Sequence, residues 1–209
     1  MSPLLEVREL VVTFGTTFSV GPMNLVASRG IIHLEGPNGG GKTSILRAMS
    51  GELPPSHGSV SVNGQDVYTS VAARRDLAFV PSIPELPEFL TVSEACEFAA
   101  SLRGAPDWDG EPYREAMGLD PGLRLGHASA GQRRKAELMC ALAGDPAILL
   151  LDETFVHLDE RSAAQLTEWV SEWSLSRVIV LTHHGVPPVS VDEVLHVSAG
   201  NAVVNRDDV

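Results

Sequence analysis

The 209-residue chain carries 15 basic and 27 acidic residues, a net charge of −12, with 44% hydrophobic and 20% charged content. That length and composition suit a soluble globular domain with a substantial core. The acidic balance argues against nucleic-acid binding along phosphates and against adsorption to anionic lipid through a basic patch.

No apolar run approaches the ~20 residues that span a bilayer, and MSPLLEVREL shows no signal-peptide pattern. Cys96 and Cys140 lie in EACEFAA and LMCALAG, apolar helical contexts suited to free core thiols in a reducing compartment.

Leu4–Phe14 and Phe18–Ala27 read as extended, with Gly15 and Gly21-Pro22 as interruptions. IIHLE (31–35) is a β-rich run ending in glycines, and a helix follows from Lys42 until Ser50-Gly51 stops it. SVSVNGQDVY (59–68) alternates around Asn63-Gly64 and predicts a hairpin. LAFV (77–80) is a strand, and FVPSIPELP (79–87) cannot continue it, because proline removes backbone donors. Helices are expected over Val92–Leu102, Pro112–Met117, Gly131–Leu142 and Glu160–Ser174. AILLL (147–151) and RVIVL (177–181) read as strands covered on both faces, and 193–204 as weak strands. Strands alternating with helices imply an α/β fold with a largely parallel sheet.

Gly36-Pro37-Asn38-Gly39-Gly40-Gly41-Lys42-Thr43, followed by Ser44, fits G-x-x-x-x-G-K-[ST] between a strand and a helix. The glycines let backbone N–H groups converge on phosphate oxygens, and the helix N-terminus adds positive dipole. Lys42 would reach the β/γ-phosphates of ATP, and the Thr43 hydroxyl would bind Mg²⁺. AILLLDE delivers Asp152 at a strand's C-terminal end, where it suits Mg²⁺, and then Glu153, which could take a proton from an attacking water. Many strands end in a solvated acid; the phosphate loop is what favours the functional reading here.

Ala128-Ser129-Ala130-Gly131-Gln132 resembles the LSGGQ signature of ABC ATPases, and Ser129 precedes Asp152 by 152 − 129 = 23 residues, as in that family. The resemblance extends over nearly the whole chain. HLDE (157–160) looks like the D-loop, VIVLTHH (178–184) leads to His183 as the switch histidine, and Phe14 holds the place of the adenine-stacking aromatic. It implies a P-loop ABC-type fold across 1–209, with a mostly parallel core and antiparallel β-subdomain (1–83 and 144–209) and an inserted helical subdomain (84–143). Ser129, Gly131, Gln132 and Asp159 would then face nucleotide held by a second ATP-binding subunit. Trp108, Trp169 and Trp173 are packing residues, and Arg133, Arg134 and Lys135 are read as solvating a helix start. Five further histidines show no metal-ligand spacing.

The pattern departs mildly at Ala128 and Ala130 in the signature and at Thr154-Phe155, where proline and a small residue are common, and breaks at one place. The family's glutamine after LAFV is replaced by Ser82, and no glutamine lies between Gln65 and Gln132. Serine keeps an oxygen with shorter reach, so a water would bridge it to the metal. The resemblance therefore implies the cytoplasmic ATPase subunit of a transporter, peripheral on the inner face of the cell membrane and attached to transmembrane permease subunits. Compact size and the SAGQRR-type signature favour export. The alternatives are a soluble ABC ATPase of the iron–sulfur-assembly type and a weakly hydrolysing regulatory subunit.

Overall fold

Two sheets stack around the first long helix, and a helical layer closes the far side of the larger sheet. The computed structural model describes residues 4–15 and 18–197. Strands β1 (Leu5–Phe14), β2 (Phe18–Ala27), β4 (His57–Val62) and β5 (Gln65–Asp66) form an antiparallel sheet in the order β2-β1-β4-β5. Strands β6 (Leu77–Val80), β7 (Ile148–Asp152), β8 (Val178–Thr182), β3 (Gly30–Glu35) and β9 (Glu193–His196) form a sheet whose neighbours are all parallel.

Period-2 alternation within the apolar strands decides which core each residue joins. Ile148, Leu150, Val178 and Val180 face α1 (Lys42–Ser50) and the antiparallel sheet. Leu149, Leu151, Ile179 and Leu181 face α5 (Ala130–Leu142) and α6 (Glu160–Trp173). Both faces are covered, so β7 and β8 are buried at every position. Trp169 and Trp173 stack with centroids 5.7 Å apart, and Tyr113 meets both edge-on, which makes them packing residues.

A third core joins α3 (Val92–Leu102) to α5 through Val92, Ala95, Leu125, Ala136 and Met139. Helix α4 (Glu111–Ala116) follows the GAPDWDG loop. Thr91 and Glu94 form a reciprocal capping box that starts α3. The helix α2 (Val71–Arg75), with Ser70 as its cap, is missing from the sequence reading because five residues show no helical period. Asn63 and Gly64 both have positive φ (51° and 74°), the tight turn the hairpin needs. Gly21-Pro22 proves to be an irregularity inside a continuous β2, where the pairing with β1 shifts register between Leu10 and Val12. The weak strand expected beyond residue 197 lies outside the described residues.

Candidate functional site

The loop Gly36–Gly41 joins β3 to α1, and Gly41 is the cap of that helix. Among the described residues no side chain caps α1 and no acid occupies its first turn, so the donors and the dipole are left for an anionic group. Gly41 has φ 96°, and a Cβ there would fall 2.3 Å from Val20 Cγ2; only glycine fits. Lys42 Nζ donates to the carbonyls of Gly36 (2.7 Å) and Pro37 (3.1 Å), folding back over the loop. Asn38, Gly39, Gly40, Gly41, Lys42, Thr43 and Ser44 line a cavity of about 320 Å³ that Phe18, Ser82, Asp152 and Glu153 complete.

The acids of that cavity are held by two threonines. Thr43 Oγ1 donates to Asp152 Oδ2 at 2.7 Å, and Thr182 Oγ1 donates to Asp152 Oδ1 at 2.6 Å. The same Thr182 oxygen accepts the Glu153 N–H at 2.9 Å. Glu153 has φ 49°, a left-handed conformation that carries ~1–3 kcal/mol of strain for a non-glycine residue. The Thr182 bond holds that turn, which aims the next carboxylate away from the buried strand. Hydroxyl, carboxylate and Ser82 oxygens are the hard donors magnesium prefers. The 2.7 Å hydrogen bond from Thr43 to Asp152 brings two of them together.

His183 follows β8, half-buried and edge-on to Phe155 with ring centroids 5.9 Å apart. Its Nδ1 is buried with no partner among the described residues. It lines a second cavity, of about 310 Å³, with Gly36, Pro37, Asn38 and Lys42, so it faces the phosphate loop. His33 beneath it is kept neutral-leaning by burial, and hydrogen-bonds the His183 backbone.

The signature segment lies apart from the lining of the phosphate cavity. Ser129 caps α5, accepting the Gln132 N–H at 3.2 Å while Gln132 Oε1 accepts the Ser129 N–H at 2.8 Å. Gly131 packs against the next loop, where a Cβ would lie 2.8 Å from the His157 carbonyl. Asp159 caps α6, accepting from Ser162 N at 2.9 Å and Ser162 Oγ at 3.0 Å, and pairs with Lys135 Nζ at 2.7 Å. The Lys135 bond, then those from Ser162, hold its carboxyl well below the usual carboxylate range. Turn and D-loop are thus bound into one surface within the chain.

Phe14 is 41% exposed at the end of β1, free to meet a ring, and its cross-strand partner Phe18 lines the phosphate cavity. One sequence expectation changes. The basic cluster does not solvate a helix start: Arg134 is buried, Lys135 reaches the Met117 carbonyl and Asp159, and Arg133 reaches Glu88 and the Gly126 carbonyl. Loop carbonyls without ladder partners need donors, and these long side chains supply them. Thr182 and Phe18 escaped the sequence reading, Thr182 because its role depends on cross-strand register.

Residues 22–156 match the family model for the ABC transporter. The chain is 36% identical to mouse (Mus musculus) ATP-binding cassette sub-family A member 7 over 157 residues, covering 71% of this chain and 7% of that protein. It is 33% identical to the sulfate/thiosulfate import ATP-binding protein CysA of Synechocystis sp. over 199 residues, covering 90% of this chain and 56% of that one. The chain therefore spans from under a tenth to about half the length of these relatives. A solved ATP-binding subunit of an ABC transporter superposes with TM-score 0.86 at 26% identity, covering 93% of this chain and 86% of that one. A dimeric ATP-binding cassette bound to ADP and Pi shares the fold, at TM-score 0.80 and 18% identity over 93% of this chain and 94% of that one. A match over more than half its length, together with curated relatives above 30% identity, makes this chain a member of the ABC transporter family, built as its ATP-binding domain.

Proposed function

We propose that the chain binds and hydrolyses ATP as the nucleotide-binding domain of a transporter, acting through transmembrane permease subunits from the cytoplasmic face. The observation that carries this reading is the continuous chain Thr43–Asp152–Thr182–Glu153, beside a phosphate loop whose helix end no side chain caps among the described residues. A structural turn would not bring a lysine, a threonine and two acids to one cavity, with a buried threonine behind them holding both acids.

In the proposed reaction, the Gly36–Gly41 amides and Lys42 hold the β- and γ-phosphates. Magnesium, held by Thr43, Asp152 and Ser82, would neutralise charge growing between those phosphates. Glu153 accepts a proton from the water that attacks the γ-phosphorus, and the bridging oxygen leaves with ADP. His183 hydrogen-bonds the γ-phosphate from the opposite side. Ser129, Gly131 and Gln132 of a second subunit close over the nucleotide, with Asp159 at the crossing, and closure moves the membrane partner.

Beside α3, a cavity of about 460 Å³ is lined by Pro87, Phe89, Leu90 and Phe98, with Phe89 70% and Phe98 59% exposed. An exposed apolar patch of this kind supports a protein partner docked on the helical layer, residues 84–143. Export rests on compact size and the signature type, while sulfate/thiosulfate import proteins are among the relatives at 33% identity, so transport is measured in both directions. The test is Mg²⁺-dependent ATP turnover by the purified chain, alone and with a co-expressed membrane protein. No turnover in either state overturns the reading; turnover without any membrane recruitment favours the soluble class.

A further inference from the structure

The proline-rich loop after β6 is gripped by the signature helix at two points one turn apart. Arg134 is 1% exposed, and its two terminal nitrogens donate to the carbonyls of Pro81 and Ser82. Glu137, 9% exposed, accepts the Glu85 N–H at 3.0 Å and also the Leu86 N–H. Pro81, Pro84 and Pro87 offer no N–H, so α5 takes two of the loop's few amides and the two carbonyls at the end where Ser82 lines the phosphate cavity. On the far side Glu85 pairs with Arg47 of α1, the helix that begins at the phosphate loop.

The grip ends at the reacting centre. Ser82 lines the phosphate cavity with Thr43, Asp152 and Glu153, and lines a second cavity of about 320 Å³ with Ala128, Ala130, Arg134 and His157 beside the signature turn. A glutamine at this position could adapt through three side-chain torsions. The serine hydroxyl turns on a single torsion and lies one bond from Cβ, so what it can reach is set by where its backbone sits. That backbone is what Arg134 holds.

We propose that Arg134, supported by Glu137, is a positioning residue for ATP hydrolysis, fixing the Ser82 backbone so that its hydroxyl stays on the metal side of the phosphate site. Because the arginine rides on α5, five residues after Ser129, this placement follows any movement of the signature turn. The inference rests on the proposed ATPase reading and adds a residue that touches neither nucleotide nor metal. Burial lowers the pKa of this guanidinium, and the Glu137 and Asp152 carboxylates oppose that shift.

The experiment is a double-mutant cycle on the full chain, measuring kcat, KM for ATP and the Mg²⁺ concentration for half-activation. Apart from turnover, it measures the Mg²⁺ dependence of ATP binding, which should weaken in Arg134→Met but not further in the Ser82→Ala background. Arg134→Met should lower kcat about tenfold, well within the effect of displacing a reacting group, and raise the Mg²⁺ requirement with KM for ATP little changed. Arg134→Lys, which can serve one carbonyl, should recover part of the loss. In a Ser82→Ala background the Arg134→Met change should cost little more, since the group it positions is gone. Equal losses in both backgrounds would show a purely structural arginine and overturn the proposal. If Arg134→Met fails to fold, the Arg134→Lys cycle carries the same comparison. Absence of turnover in the wild type would instead overturn the ATPase reading on which it rests.

Discussion

Thr182 and Asp152 stand directly opposite each other in the β7–β8 register, and the threonine hydroxyl donates to the carboxylate at 2.6 Å. Both are buried, and the same hydroxyl accepts the Glu153 amide. One oxygen therefore orients the proposed metal ligand and the proposed base together.

Thr182→Val keeps the shape and removes that oxygen, leaving a buried carboxylate oxygen and a backbone N–H unpaired. Each such loss costs about 1–3 kcal/mol. We expect lower thermal stability and at least a tenfold drop in kcat, with Thr182→Ser restoring most of both. Wild-type turnover in a folded Thr182→Val protein would remove Thr182 from the site.

Glu153→Gln removes the proton acceptor while keeping size and the backbone turn. Turnover should fall by roughly 10²–10⁴, the usual worth of a general base. ATP binding should persist, and a dimer should accumulate with ATP and Mg²⁺ in size-exclusion chromatography. Near-normal turnover would mean that another group activates the water.

How far the sequence carries the fold depends on whether a residue's role is local. The apolar runs of β7 and β8, the glycine stops around α1 and the Asn63-Gly64 turn are local, and each stands where the pattern placed it. Arg134 was misread because charge outweighed phase: Arg134, Glu137, Leu138 and Ala141 recur at helical spacing on one buried face. That spacing was the available signal. Thr182 had none, since only the pairing of two distant strands brings it to Asp152. Phe18 gains its place because β2 doubles back beside the phosphate loop, which no local motif records.

Glu137 makes stability depend on pH. Burial raises its pKa from 4.5 to about 7, against the lowering effects of the Glu85 amide and Arg134, with the Glu85 carboxylate adding to the rise. A carboxyl raised in the folded state favours folding below its unfolded pKa. That contribution is lost as pH climbs from about 4.5 to about 7, a change of roughly 3 kcal/mol. Glu137→Gln keeps an acceptor and removes the charge. Its melting temperature relative to wild type should therefore rise by several degrees between pH 5 and pH 8 and level off above. A difference that stays constant with pH would show that Glu137 titrates normally.

Ser82→Gln tests the main departure from the family pattern at its source. The position opens on the phosphate cavity beside Thr43 and Asp152 and also on the cavity beneath the signature turn, so a longer side chain has room on either side. Its backbone carbonyl is held by Arg134, which the substitution does not touch. A glutamine there can reach the metal side without an intervening water. We expect kcat to be unchanged or raised, with less Mg²⁺ needed for half-activation. A marked loss would show that the short hydroxyl on a clamped backbone is the working arrangement, and that the rest of the site is built around it.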